Sequence, residues 1–165
     1  MKTFKKIMTF ILDWTWCLPQ TLVGAFVYAF IWKKDGTKEK YCKTGEFTFV
    51  REFEKEYNVN VIIRNYIDHV DGVWGSDKLY HYLSGASLGR YIVLKPSHSM
   101  TDIKHEYGHV RQSRMLGPLY LIVVGIPSAI NNLRSRKDMA VYENYYNLYP
   151  ENWADRLGGV TRNRY

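Results

Sequence analysis

The sequence has little of several things, and each shortage narrows what the chain is. It holds two cysteines in 165 residues. Cys17 and Cys42 form no CxxC pair and no disulfide framework, which argues against a disulfide-stapled secreted scaffold and reads as free thiols in a reducing compartment; a single bridge between them is the alternative. No internal repeat or low-complexity tract is visible, so a solenoid or array is excluded. No small-residue cleavage pattern follows the first apolar run, where "FIWKKDG" is the wrong flank for a removed signal peptide. Glycine and proline are at ordinary levels and 24% of residues are charged, a balance that does not suit a disordered chain.

Aromatic residues, by contrast, are abundant, with fourteen Tyr and five Trp. The formal charge of +7 suits nucleic acid, an anionic membrane surface or acidic partners. Its distribution chooses among them. Lys2, Lys5 and Lys6 precede an apolar run, and Lys33, Lys34, Lys38, Lys40 and Lys43 follow it, which is the pattern of membrane flanks and makes nucleic acid the weaker reading. The run itself, "WTWCLPQTLVGAFVYAFIW" from Trp14 to Trp32, carries no charge and is bounded by tryptophans. As one helix it spans about 28 Å, close to a bilayer's hydrocarbon core. Pro19, Gln20 and the neighbouring Asp13 oppose simple insertion, and Pro19 is placed to kink the segment or confine the helix to its later part, so a spanning or re-entrant helix stands beside an interfacial helix and a buried core helix. We expect residues 1–45 to be an N-terminal hydrophobic, membrane-associated segment with a basic linker, "KKDGTKEKYCKTG", and residues 46–165 to be the domain proper.

Within that domain, "EFTFVREFEKEY" (46–57) and "VNVIIRNY" (59–66) are strand-like, and "HVDGVWGSDK" reads as turn. "GRYIVLKP" (89–96) is a clearer strand, either an edge strand able to take a peptide by β-addition or a core strand pairing with 59–66. Ser99 and Asp102 have the form of a capping box and Gly117-Pro118 supplies a stop, which predicts a helix over 100–116. The uncharged "MLGPLYLIVVGIPSAI" (115–130) is broken by Gly and Pro and fits a buried or membrane-apposed segment.

The predicted helix carries "HEYGH". Positions 105 and 109 lie about 40° apart around a helix, so two imidazoles reach one ion, with Glu106 on the adjoining side. Hydrolytic zinc chemistry needs two neutral ligands, an open position for water and a nearby carboxylate to take its proton. Near the C-terminus "YPENWADRLGG" predicts a short helix opened by Pro150 and closed by Gly158-Gly159, with Glu151 and Asp155 one turn apart. Glu151 completes a two-His, one-carboxylate metal site, in preference to Glu143 because only Glu151 has the i+4 acid, and Asp155 fixes the tautomer of a ligating imidazole.

HExxH followed by ExxxD resembles the gluzincin metallopeptidases typified by thermolysin. The resemblance implies Zn²⁺ as cofactor, His105, His109 and Glu151 as its ligands, Glu106 as general base, Asp155 behind a ligand, and a peptide or protein substrate. The chain departs from thermolysin in its shorter length, its longer spacing from His109 to Glu151 and the lack of an assignable substrate-polarising histidine. "HEYGHVRQSRMLGPLYL", the later "PS" at Pro127-Ser128 and "ENWADRLGG", over roughly 89–160, also resemble a set of small bacterial, phage and toxin-associated domains for which a peptidase is predicted.

The remaining polar residues have bland readings. Gln112 and Ser113 continue the histidine face but read as surface residues, and Gly108 in mid-helix implies close packing of a strand or the second helix. Tyr142, Tyr145 and Tyr146 are candidate oxyanion donors, His81 and His98 spare candidates for the polarising role, and "RSRK" and "RNRY" solvated basic clusters. The expected whole is an α+β, minimal zincin-like domain with a short sheet and a HExxH helix, preceded by a hydrophobic helix. It would act as a membrane-associated zinc peptidase of bacterial or phage origin with its site on the cytoplasmic face. A non-catalytic zinc interaction domain and a basic membrane or nucleic-acid binder are the rivals.

Overall fold

Three short strands set the frame. In the computed structural model, which describes residues 2–29, 46–63, 85–94 and 98–162, the strands are β1 (Asn60–Ile63), β2 (Ala86–Leu88) and β3 (Tyr91–Leu94). β3 lies in the middle, parallel to β1 with Ile62 opposite Val93, and antiparallel to β2 with Ser87 opposite Ile92. Helices α1 (Lys2–Trp14), α2 (Leu18–Val27) and α3 (Glu46–Tyr57) accompany β1. Helices α4 (Met100–Leu116), α5 (Ile126–Ser135), α6 (Met139–Glu143) and α7 (Glu151–Gly158) follow the sheet. The protein is therefore α+β and mostly helical, with an N-terminal helix pair.

All four residues of β3 are buried, because helices cover both faces of the sheet. On one face Val61, Ile63, Ile92 and Leu94 pack with Val50 and Phe53 of α3 and Ile103 and Val110 of α4. On the other, Ile62, Tyr91 and Val93 meet Val27 of α2. The expected strand over 59–66 is found at 60–63, paired with 91–94 as the core-strand reading required; residues 64–66 lie outside the described part. The edge-strand reading of 89–96 is corrected, since β3 has a neighbour on each side and the outermost strand toward the site is β2.

Residues 46–57 are a helix, not a strand. Phe49, Phe53 and Tyr57 recur every four residues and stack on one another and on Tyr107 of α4, while exposed charges such as Arg51 and Glu52 occupy other positions. β-favouring aromatics concealed a helical period.

The apolar run from Trp14 is broken. α1 and α2 meet at a 90° bend across residues 15–17, and no single described helix is long and apolar enough to cross a membrane. The break is held by α4. The buried Cys17 thiol donates to the Ser113 carbonyl (3.3 Å), and Gln20 Nε2 donates to Ser113 Oγ and to the Gly117 carbonyl, both at 2.9 Å. Asp13, fully buried, accepts two bonds from Arg114 at 2.8 and 2.9 Å. Cys42, the linker 33–45 and the turn 69–78 fall outside the described residues.

Candidate metal centre

α4 begins where the sequence places it. Ser99 Oγ accepts from the Asp102 amide (3.2 Å) and the Asp102 carboxylate accepts from the Ser99 amide (2.8 Å), a reciprocal cap that fixes the helix start. From there His105, Glu106, His109 and Gln112 are all buried. Such a polar inward face is costly unless every group finds a partner.

The partners come from α7. A Cβ on Gly108 would overlap the backbone of Ala154, and one on Gly158 would overlap the Lys104 carbonyl. Two glycines thus let the helices cross backbone to backbone, and the crossing brings Glu151 and Asp155 over the histidines. Glu151 Oε2 lies 3.1 Å from Nε2 of both His105 and His109. Asp155 Oδ1 accepts from His105 Nδ1 at 2.7 Å. His109 Nδ1 lies 2.7 Å from Gln112 Oε1, and Gln112 Nε2 donates to the Pro150 carbonyl (3.1 Å). Because that carbonyl only accepts, the amide is oriented with its oxygen toward His109. Each imidazole therefore keeps its proton on Nδ1 and turns the Nε2 lone pair toward Glu151.

This convergence is the test of whether a metal fits. Two Nε2 lone pairs and a carboxylate oxygen, all within 4.8 Å of one another, repel unless a cation or a proton lies among them. His105, His109 and Glu151 can hold a metal ion, and that group belongs to a HExxH-type arrangement. Around it, Ser128 Oγ donates to Glu151 Oε1 (2.6 Å), and Arg162 donates to Asp155 Oδ2 (2.8 Å) while lying 3.4 Å from the Tyr146 ring centre.

Glu106 stands beside the three ligand candidates without joining them. Ser87 Oγ of β2 lies 2.9 Å from its Oε2 and 2.6 Å from its carbonyl oxygen. Burial raises the Glu106 pKa, opposed by the nearby histidines and the Ser87 hydrogen bond. Its carboxylate faces a cavity of about 410 Å³ that also touches His105, His109 and Glu151 and is lined by Tyr120, Tyr145 and Tyr146. Burial pushes the Tyr146 phenol up to about 12, and those of Tyr120 and Tyr145 up as well.

Of the other candidates, Tyr145, Tyr146 and His98 line the cavity, whereas Tyr142 and Glu143 are exposed; His81 is outside the described residues. Gln112 and Ser113 are buried rather than superficial, Gln112 orienting His109 and Ser113 receiving the N-terminal elbow. Arg162 of "RNRY" is bonded to Asp155 rather than solvated. Ser87, Ser128 and Tyr120 were not foreseen. Gln112 had a signal, three residues after His109 on the same face; Ser128 stands in the quoted "PS" without a role attached to it, and Ser87 had no signal, because both arrive from distant elements.

Without a metal the site needs a proton. Burial alone depresses the His105 pKa, but its bonds to Asp155 and Glu151 outweigh that and hold it at about 9. Glu151 moves the other way: burial works to raise its pKa, but its bonds to the two histidines lower it. A raised histidine stabilises the fold fully below its ordinary 6.5 and ceases to as pH climbs through about 9; a lowered glutamate stabilises above its ordinary 4.5 and fails as pH falls. The metal-stripped chain should therefore lose Tm as pH is raised from 6.5 past 9, and added metal should flatten that limb by replacing the proton. Thermal melts across pH with and without chelator check this; an identical alkaline limb in both would refute it.

The fold and site define an α+β protein with a buried two-histidine, one-glutamate group at a helix crossing that can hold a metal ion. Comparison with protein-family models, curated proteins and solved structures gives no match.

Proposed function

We propose that the chain is a zinc-dependent peptidase of gluzincin type. The observation that carries this reading is Glu106, a buried carboxylate beside the His105/His109/Glu151 group that faces a cavity instead of the other donors. A metal held only for folding does not need such a group, and a fourth coordination position directed at a cavity is the mark of a catalytic site. Two imidazoles and one carboxylate suit zinc. Zinc bound there supplies a Lewis acid that acidifies water and polarises a peptide carbonyl. Asp155 and Gln112 keep the imidazoles in the ligating tautomer, and Ser128 holds the Glu151 carboxylate in place. Glu106 takes the proton of the attacking water and returns it to the leaving amine; burial and the Ser87 hydroxyl hold it for that transfer. β2 and the preceding Gly85, which line the cavity, serve as the substrate strand in place of 89–96.

The test begins with elemental analysis of chain purified without a histidine tag. About one zinc per chain, lost in His109→Ala, is expected, followed by cleavage of unstructured peptides by the native protein alone. Zinc without cleavage of any peptide would favour the interaction-domain reading, and no zinc after reconstitution would end the peptidase reading.

A further inference from the structure

Residues 115–137 contain no acidic residue and a row of large apolar ones. After the turn Gly117–Leu119 the chain winds through a π-helical turn, Leu121–Gly125, into α5. Leu119, Ile122, Ile126, Ile130 and Leu133 recur every three or four residues along it and are 44 to 64% exposed. The polar residues of α5 turn the other way: Ser128 holds Glu151, Asn131 donates to the Tyr149 carbonyl (2.7 Å), and Asn132 lines the cavity. α5 has no buried residue at all. A surface helix of a water-soluble protein puts its apolar stripe inward. Here the stripe points outward.

The stripe does not end at Leu119. Gly117 lies against the indole of Trp16, which is itself exposed and sits at the corner of the α1–α2 bend. Beyond that corner Phe4, Ile7, Met8 and Ile11 form the exposed face of α1, and Leu18, Leu22 and Phe26 that of α2. Exposed apolar surface on this scale, meeting at Trp16 and Gly117, marks a binding face. Its charge says for what. The exposed Lys5 and Lys6 lie among the apolar residues of α1, and the exposed Arg134, Arg136 and Lys137 follow Leu133. The one acid on α1 and α2, Asp13, is buried against Arg114.

We propose that the stripe from Leu119 to Leu133, continued at Trp16 into the α1–α2 bend, docks on an anionic lipid bilayer. Apolar side chains among basic residues, with tryptophan at the junction, match a headgroup boundary, where the chains enter the acyl region and the cations meet lipid phosphates. A second copy of this chain would bring the same positive charges against them. The attachment is peripheral, through helix faces rather than a crossing helix. Leu121 and Leu133 also line the cavity, so docking puts its rim at the bilayer. On the peptidase reading, the substrates are peptides at the membrane surface. The docking itself is read without turnover.

The experiment is sedimentation of the full chain with phosphatidylcholine vesicles, with and without phosphatidylserine. Pelleting with the anionic vesicles, weakened by salt, is expected. Ile126→Glu/Ile130→Glu should weaken it by at least about tenfold, since each side chain loses its place in the acyl region. Circular dichroism checks that the helices persist, and Ile126→Gln/Ile130→Gln repeats the test should the glutamates disturb them. Failure to pellet with either vesicle, or pelleting indifferent to both pairs of substitutions, would overturn the proposal. So would a vesicle-free dimer that the same substitutions abolish, which would make the stripe a contact between copies.

Discussion

As a zinc peptidase of the proposed type, the Glu106→Gln variant should still bind zinc and lose about 10²–10⁴-fold in kcat, the usual contribution of a positioned proton-transfer group. The substitution keeps the shape of the side chain and its position beside Ser87, so substrate binding and KM should change little. What goes is the ability to accept a proton from water, which an amide lacks. Removing an ionisable group whose pKa burial already raises should leave the fold no less stable. Zinc content, Tm and peptide turnover measured on one preparation separate these outcomes, and full turnover in the glutamine variant would remove Glu106 from the mechanism.

Gly108→Val should destabilise the protein by about 3 kcal/mol or more, the upper part of the range for overpacking, and lose metal with the same substitution. The new atoms would enter the backbone of Ala154, and a backbone cannot rotate aside as a side chain can. α7 must then lift from α4, and α7 carries both Glu151 and Asp155. Gly125→Ala is the control. There an added Cβ meets nothing nearer than 3.8 Å, so it should be neutral or slightly stabilising. Urea midpoints and zinc content of the two variants check the contrast; wild-type stability in Gly108→Val would mean that the helices do not need their close approach.

What was legible in the sequence was what local chemistry decides. The cap at Ser99 and Asp102 and the stop at Gly117 placed α4 from 100 to 116, and the glutamate and aspartate one turn apart named the residues that meet the histidines. Gly108 announced a close approach, though not to Ala154 in particular. What was hidden depends on contacts between distant segments. Ser87 reaches the site from a strand that nothing in its own neighbourhood marks, and Pro127-Ser128, though part of the quoted motif, carried no sign that the hydroxyl holds Glu151. Pro19 marked the break that precedes α2, but not its anchoring on Ser113 and Gly117 of a segment far along the chain. Residues 46–57 misled because their aromatics favour strands, while their spacing of four serves a helix.

Arg162 gives the centre a property that no single distance shows. Three carboxylates, those of Glu151, Asp155 and Glu106, gather around two imidazoles held neutral at Nε2, and one guanidinium stands behind Asp155. With a doubly charged ion among them and Glu106 ionised, the positive and negative charges are equal in number, so the enclosed assembly is electrically neutral and its transfer out of water is correspondingly cheap. A singly charged ion would leave an excess electron's worth of charge in that interior and a triply charged one a deficit. Charge balance, as well as ligand geometry, thus favours a divalent ion over one of other valence in a site of this composition.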